Sequence, residues 1–284
     1  MINFEEVLRE LLKERLNVKV SSVTKTVNNG ENKRCLIINE NSDCFPTIYI
    51  DTLYEMYKKG TSIDKIVDSI VCFVKKFEAE ALHTKNLVKD IANFESVKNK
   101  IIYAVVNKEK NAVMLSSIPH VTVASDLALI YKICIEIKGR EIKTMTITNE
   151  MVKNWGTSLT EIVSLADINT PKLLPLEIIS LDDIFPFPLP SSIPMMVVTN
   201  KNNINGAGSV FYDGVLEKLS EKMGNLIIIP SSVHECIVMP EDSQNDTDLV
   251  DVIREVNSAE LSAEEILSDH PYRYIKNEKC VIAA

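Results

Sequence analysis

The chain has 284 residues, 45% of them hydrophobic and 25% charged, with 31 Lys and Arg against 40 Asp and Glu for a formal charge of −9. This composition excludes a disordered chain. The acidic balance argues against direct binding to nucleic acid or to an anionic membrane surface, since both need clustered Lys and Arg.

Phe4, Val7, Leu8, Leu11 and Leu12 recur at helical spacing, which predicts a helix over 4–16 with Asn3 as N-cap and Asn17 as its stop. Residues 18–27 alternate apolar and polar, as a half-buried strand should, and Asn28-Asn29-Gly30 turns the chain into a second strand at 34–39. A third strand at 46–50 and helices at 51–59 and 62–80, separated by Gly60, complete an α-β-β-β-α-α order for the first hundred residues.

A polar helix at 83–100 leads into an apolar strand at 101–106, then a short helix or turn at 111–117. Residues 127–137 and 142–148 flank Gly139-Arg140 as a hairpin. Thr148 caps a helix that runs to Trp155 and ends at Gly156, and Ser158 opens another with Glu161 completing a capping box. Lone Trp155 reads as a helix end packed on the core, with an aromatic binding anchor as the lesser reading.

Six of the 11 prolines fall between Pro171 and Pro194, so this stretch is expected to be an extended strap, with Phe185, Phe187 and Leu189 packed on a surface. Beyond it come strands at 195–199 and 209–212 around a turn-rich loop and a helix from Asp213 to Gly224. Strands at 226–230 and 234–239, a helix at 246–257, a short helix near Ala263, and a strand pair at 272–275 and 280–282 follow. Hairpins mixed with helices make the fold α+β with mostly antiparallel sheets. Two subdomains are expected, 1–100 and 101–284, the second carrying the strap at 171–194.

The opening residues show no basic stretch followed by an apolar one, and no apolar run approaches the ~20 residues of a membrane helix. Six scattered cysteines without a CxxC pair read as reduced thiols, and the expected location is the cytoplasm.

The most suggestive polar constellation is Ser231-Ser232-Val233-His234-Glu235, which gathers a hydroxyl, an imidazole and a carboxylate. On a strand, Ser232 and His234 share one face while Glu235 points to the other, and no G-x-S-x-G elbow surrounds the serines. The competing reading is a serine turn between two strands with His234 hydrogen-bonded locally. His120 and Asp126 lie at the edge of the 120–137 strand region; a carboxylate there can orient the imidazole if the chain bends.

Asn205-Gly206-Ala207-Gly208 resembles a phosphate loop in composition only, because a strand and not a helix is expected to follow it. Val238 stands where a zinc-protease helix starting at His234 needs its second ligand, and the four histidines are scattered. No cofactor and no metal site is expected. Between Glu241 and His270 there are ten acidic residues and one basic, Arg254. That is a solvated helical face or a docking surface for a basic partner.

Pro46-Thr-Ile-Tyr-Ile50 with Tyr54 and Tyr57, Ile118-Pro-His120 to Asp126, Thr148-Asn-Glu to Trp155-Gly156, and Thr199-Asn200 resemble a bacterial domain of unknown function found mainly in low-GC Gram-positive bacteria. Ile229 to Glu235, Leu267-Ser-Asp269 and Tyr272-Arg-Tyr274 extend the resemblance over nearly the whole chain. It implies no activity and no catalytic positions. Two readings of function stand. One is a non-catalytic binding or accessory protein that engages a protein partner through the 241–270 region or the 185–190 strap. The other is a hydrolase or transferase built on Ser231, Ser232 and His234, with His120 and Asp126 folded against them.

Overall fold

The structure is a computed structural model that describes residues 2–39, 46–184, 193–241 and 246–284, apart from the side chains of Ile2, 78–89 and 246–248. The Phe185 to Pro190 strap, Cys44 and residues 242–245 of the acidic region lie outside the described residues. The fold is α+β with antiparallel sheets. Two compact units divide it, residues 1–27 with 31–93, and residues 28–30 with 94–284.

The first unit runs α1 (Ile2–Leu16), β1 (Val20–Thr26), β2 (Asn32–Ile38), β3 (Thr47–Tyr49), α2 (Ile50–Lys58) and α3 (Ile63–Ala92). Asn17 takes φ 54°, the left-handed geometry that stops α1, as its place after the last helical turn predicts. α1 begins at Ile2, so Asn3 lies inside the helix and does not cap it. β1 and β2 pair from Val20↔Ile38 to Thr26↔Asn32, placing Val20, Leu36 and Ile38 on the buried face. Leu8 and Leu12 of α1, Ile50 of α2 and Ile66 and Ile70 of α3 complete that core. α3 continues unbroken to Ala92, where the sequence suggested a stop near Glu80; no glycine or proline interrupts it after Gly60.

The second unit opens with α4 (Phe94–Val97), β4 (Ile101–Asn107), α5 (Ala112–Leu115), β5 (His120–Thr122), β6 (Leu127–Lys138) and β7 (Glu141–Thr146). β6 is the spine of this sheet. β4 covers one of its edges, while β5 and β7 share the other, pairing with 128–130 and 132–138 respectively. Next come α6 (Asn149–Trp155) and α7 (Leu159–Leu173). Thr148 accepts from Met151 N, Ser158 accepts from Glu161 N, and Gly156 ends α6 at φ 68°, each as its residue type dictates. Trp155 packs on Phe94 with ring centroids 5.6 Å apart. Pro171 sits in the last turns of α7, so the extended conformation expected from 171 onward does not begin there. Thr170 Oγ1, one residue earlier, accepts from Tyr103 N at 3.1 Å and closes the open edge of β4.

The larger sheet is built from β8 (Leu176–Ser180), β9 (Met196–Asn200), β10 (Leu226–Ile229), β11 (Cys236–Pro240), β12 (Tyr272–Ile275) and β13 (Cys280–Ala283), in the order β13-β12-β10-β11-β9-β8. α8 (Leu181–Ile184), α9 (Val215–Met223) and α10 (Asp246–Glu260) accompany it. Four local expectations change. Gly206–Phe211 is a 3-10 segment and not a strand, because it lies against Tyr103, which Gly208 approaches closely. α9 starts after Gly214 at φ 73°, not at an Asp213 cap. β11 starts at Cys236, which leaves His234 in a turn; residues 263–265 form a turn in place of a helix.

Candidate functional site

The 230–235 turn uses its polar atoms locally. Ser232 Oγ accepts from its own His234 backbone N–H at 3.0 Å, and Ser232 N donates to Glu235 O at 3.2 Å. His234 O accepts from Thr199 Oγ1 at 2.8 Å. The His234 ring turns away from the serines: Asn205 N donates to Nδ1 at 3.2 Å, while Nε2 lies 3.7 Å from a Glu265 oxygen. A lone pair at Nδ1 puts the ring proton on Nε2. Ser231 stands at the same turn, and its hydroxyl bonds to none of these groups. The shared strand face expected for Ser232 and His234 is therefore absent.

Gly206 holds this turn against β9. A Cβ there would collide with Thr199 Oγ1 and His234 O, so only glycine lets the chain pass. This explains the glycine without a phosphate loop. In the 3-10 segment that begins at Gly206, Ala207 N donates to Val233 O of the turn at 3.3 Å.

Asp126 is the centre of the other polar cluster. It sits just before β6, nearly buried, with its carbonyl accepting from Lys108 N at 2.6 Å. Ser268, His270 and Tyr272 reach its carboxylate from alternate positions of the segment entering β12. Ser268 Oγ donates to Oδ2 at 2.9 Å, Tyr272 OH to Oδ1 at 2.5 Å, and His270 Nε2 lies 3.2 Å from Oδ1. Asn107 Nδ2 adds 3.2 Å to Oδ2 and 3.0 Å to Leu267 O, and Ser125 Oγ adds 3.2 Å to Oδ1. Burial alone would raise the Asp126 pKa, but the Tyr272 and Ser268 hydroxyls and the nearby His270 hold it below the usual carboxylate range. Burial, and then the bond to Asp126, raises the Tyr272 phenol above its ordinary value.

The imidazole beside Asp126 is thus His270, not His120. His120 Nδ1 faces Ile118 O at 3.1 Å. His270 Nδ1 is also occupied, 2.9 Å from Pro271 O, so neither of its nitrogens is left for a substrate. Asn107 further connects to Asn111, whose side chain exchanges bonds with Asn29 N at 2.9 Å and Asn29 Oδ1 at 3.0 Å in the 28–30 turn. Sequence reasoning missed Asn107, Ser268, His270 and Tyr272. The Ser-x-His-x-Tyr alternation across 268–272 was the available signal.

The two clusters flank a small apolar cavity lined by Leu127, Val210, Phe211, Ile228, Cys236 and Tyr272, among others. Burial pushes the Cys236 thiol up to about 12, so it is no nucleophile near neutrality. Among the described residues no three His, Cys, Asp or Glu side chains gather as metal ligands, and no helix is long and apolar enough to cross a membrane.

The match that places the chain covers residues 1–276, almost its whole length. The chain belongs to DUF5688, a family of unknown function. Neither curated proteins nor solved structures yield a match. Several stretches in the sequence resemblance to a domain of unknown function occupy structural posts in this DUF5688 chain. Asp126, Ser268 and Tyr272 form one network, Thr199 and His234 share the other, and Thr148 and Gly156 delimit α6.

Proposed function

We propose that this DUF5688 protein is a non-catalytic binding or accessory protein of the cytoplasm, and that the outward face of α10 receives a basic, amphipathic segment of a partner protein. The observation that carries this reading is an apolar pair left in water. Val252 and Val256, four residues apart on one helix face, are 54% and 42% exposed, while Leu249 and Ile253 of the same helix are buried. Asp251, Glu255 and Glu260 are exposed around them, and Arg254 is the one base between Glu241 and His270.

Charge concentrates on this side of the chain. Residues 1–93 hold 14 Lys and Arg against 14 Asp and Glu, while residues 94–284 hold 17 against 26. An apolar stripe in an acidic surround complements a helix with Lys and Arg flanking Leu, which would bury the valines and be steered by the field. The chemistry of the polar clusters supports a non-catalytic role, since the hydroxyls of Ser232, Ser268 and Tyr272 and both His270 nitrogens are engaged by neighbouring backbone or by Asp126.

A fluorescein-labelled, Lys/Leu-patterned helical peptide titrated into the protein and followed by anisotropy tests the reading. Saturable binding that weakens with salt and is lost in the Val252→Asp/Val256→Asp variant is expected. Binding that the double variant leaves unchanged, or no saturable binding, contradicts it.

A further inference from the structure

Lys132 stands out among the 31 basic residues. It lies mid-way along β6, directly opposite Ile102 on β4 and Thr146 on β7. Its strand neighbours on the same face, Ile130 and Cys134, are buried, as is Ile102. Part of the Lys132 side chain reaches solvent, yet among the described residues no carboxylate, carbonyl or hydroxyl bonds its ammonium. Burial accordingly lowers its pKa from the usual lysine value.

The register places two further polar groups on that face. β5 ends where β7 begins along the same edge of β6, so His120, opposite Ile130, and Thr146, opposite Lys132, meet at the junction. Directly paired residues hold their Cβ atoms ~5 Å apart and diagonal ones ~7–8 Å, close enough for one small ligand to touch all three. His120 donates Nδ1–H to Ile118 O, so in the neutral ring Nε2 is an acceptor, placed to receive the hydroxyl of a hydrogen phosphate. Both His120 and Thr146 are part-exposed, so the junction is open to solvent.

We propose that Lys132, His120 and Thr146 form a binding site for a small oxyanion, a carboxylate or a phosphate group. Lys132, opposite Ile102 and on one strand face with Ile130 and Cys134, bonds no counter-charge among the described residues, and an oxyanion would supply one while accepting from the Thr146 hydroxyl. The site is independent of the α10 surface.

The test is a pair of titrations of the full-length protein, sodium phosphate in one and sodium acetate in the other, at constant ionic strength set with sodium chloride and read by 1H–15N correlation spectra. Saturable shifts at the amides of His120, Lys132 and Thr146 are expected. The apparent affinity should fall about tenfold or more in Lys132→Met, as loss of a charge-assisted bond requires, and less in Thr146→Val. The tighter of the two ligands identifies the oxyanion class. Shifts that do not saturate, that map elsewhere, or that persist in a folded Lys132→Met variant mean an adventitious ion only and overturn the site. Should Lys132→Met fail to give a dispersed spectrum, the location and saturation of the wild-type shifts decide.

Discussion

The backbone N–H of Asn205 points at Nδ1 of His234 across 3.2 Å. That bond sets the ring with its proton on Nε2, the nitrogen on the Glu265 side, and turns its acceptor inward. A general base needs the reverse: a proton anchored on one nitrogen and a lone pair presented to a hydroxyl. Ser231 and Ser232 are therefore expected to stay unlabelled by a broad serine-reactive fluorophosphonate. Intact-mass analysis of the wild type checks this, and labelling that disappears in Ser231→Ala or Ser232→Ala would show an activated serine.

Asp126 receives two hydroxyls, two amide or hydroxyl contacts from Asn107 and Ser125, and His270. Asp126→Asn keeps the size but removes the charge and turns an acceptor into a donor facing donors. Hydrogen bonds to charged groups contribute ~1.5–3 kcal/mol, so a loss of about 2–3 kcal/mol is expected. Urea denaturation should show a lower midpoint with an unchanged slope.

The same carboxylate makes stability depend on acid. Its folded pKa is depressed, so its contribution is full above the unfolded carboxylate value of ~3.9 and is lost as pH falls through the folded value. The gap in urea midpoint between wild type and Asp126→Asn should be constant near neutrality and close steadily below about pH 4. A gap that widens with acid would mean that folding raises the carboxyl's pKa instead of lowering it.

Gly206 has no room for a side chain beside Thr199 Oγ1 and His234 O. Gly206→Ala should cost about 1–3 kcal/mol, the range for forced overpacking. Gly60→Ala is the contrast. Its Cβ would meet nothing, and only the strain of φ 93° opposes it. Thermal unfolding of both variants separates crowding from backbone strain.

Local chemistry made much of the fold legible. The heptad-like leucines gave α1, Asn28-Asn29-Gly30 gave the β1–β2 turn, and Thr148, Gly156 and Ser158 gave the ends of α6 and α7. Where tertiary packing overrides local preference, the reading failed. Residues 209–212 look like a strand but tighten into a 3-10 segment against Tyr103, and His234 leaves the strand because Thr199 and Asn205 bind it in a turn. The Asp126 network joins positions more than a hundred residues apart, Asp126 to Ser268 and Tyr272. No spacing rule connects such positions; only the folded sheet does.

The proposed role rests on the outward face of α10 being a place where a partner sits. Hydrogen exchange measured with and without the Lys/Leu helical peptide tests this most directly. The account predicts slower exchange concentrated in the amides of α10 around Val252 and Val256, absent in Val252→Asp/Val256→Asp. Protection confined to another surface, or no change on α10 at saturating peptide, would contradict it.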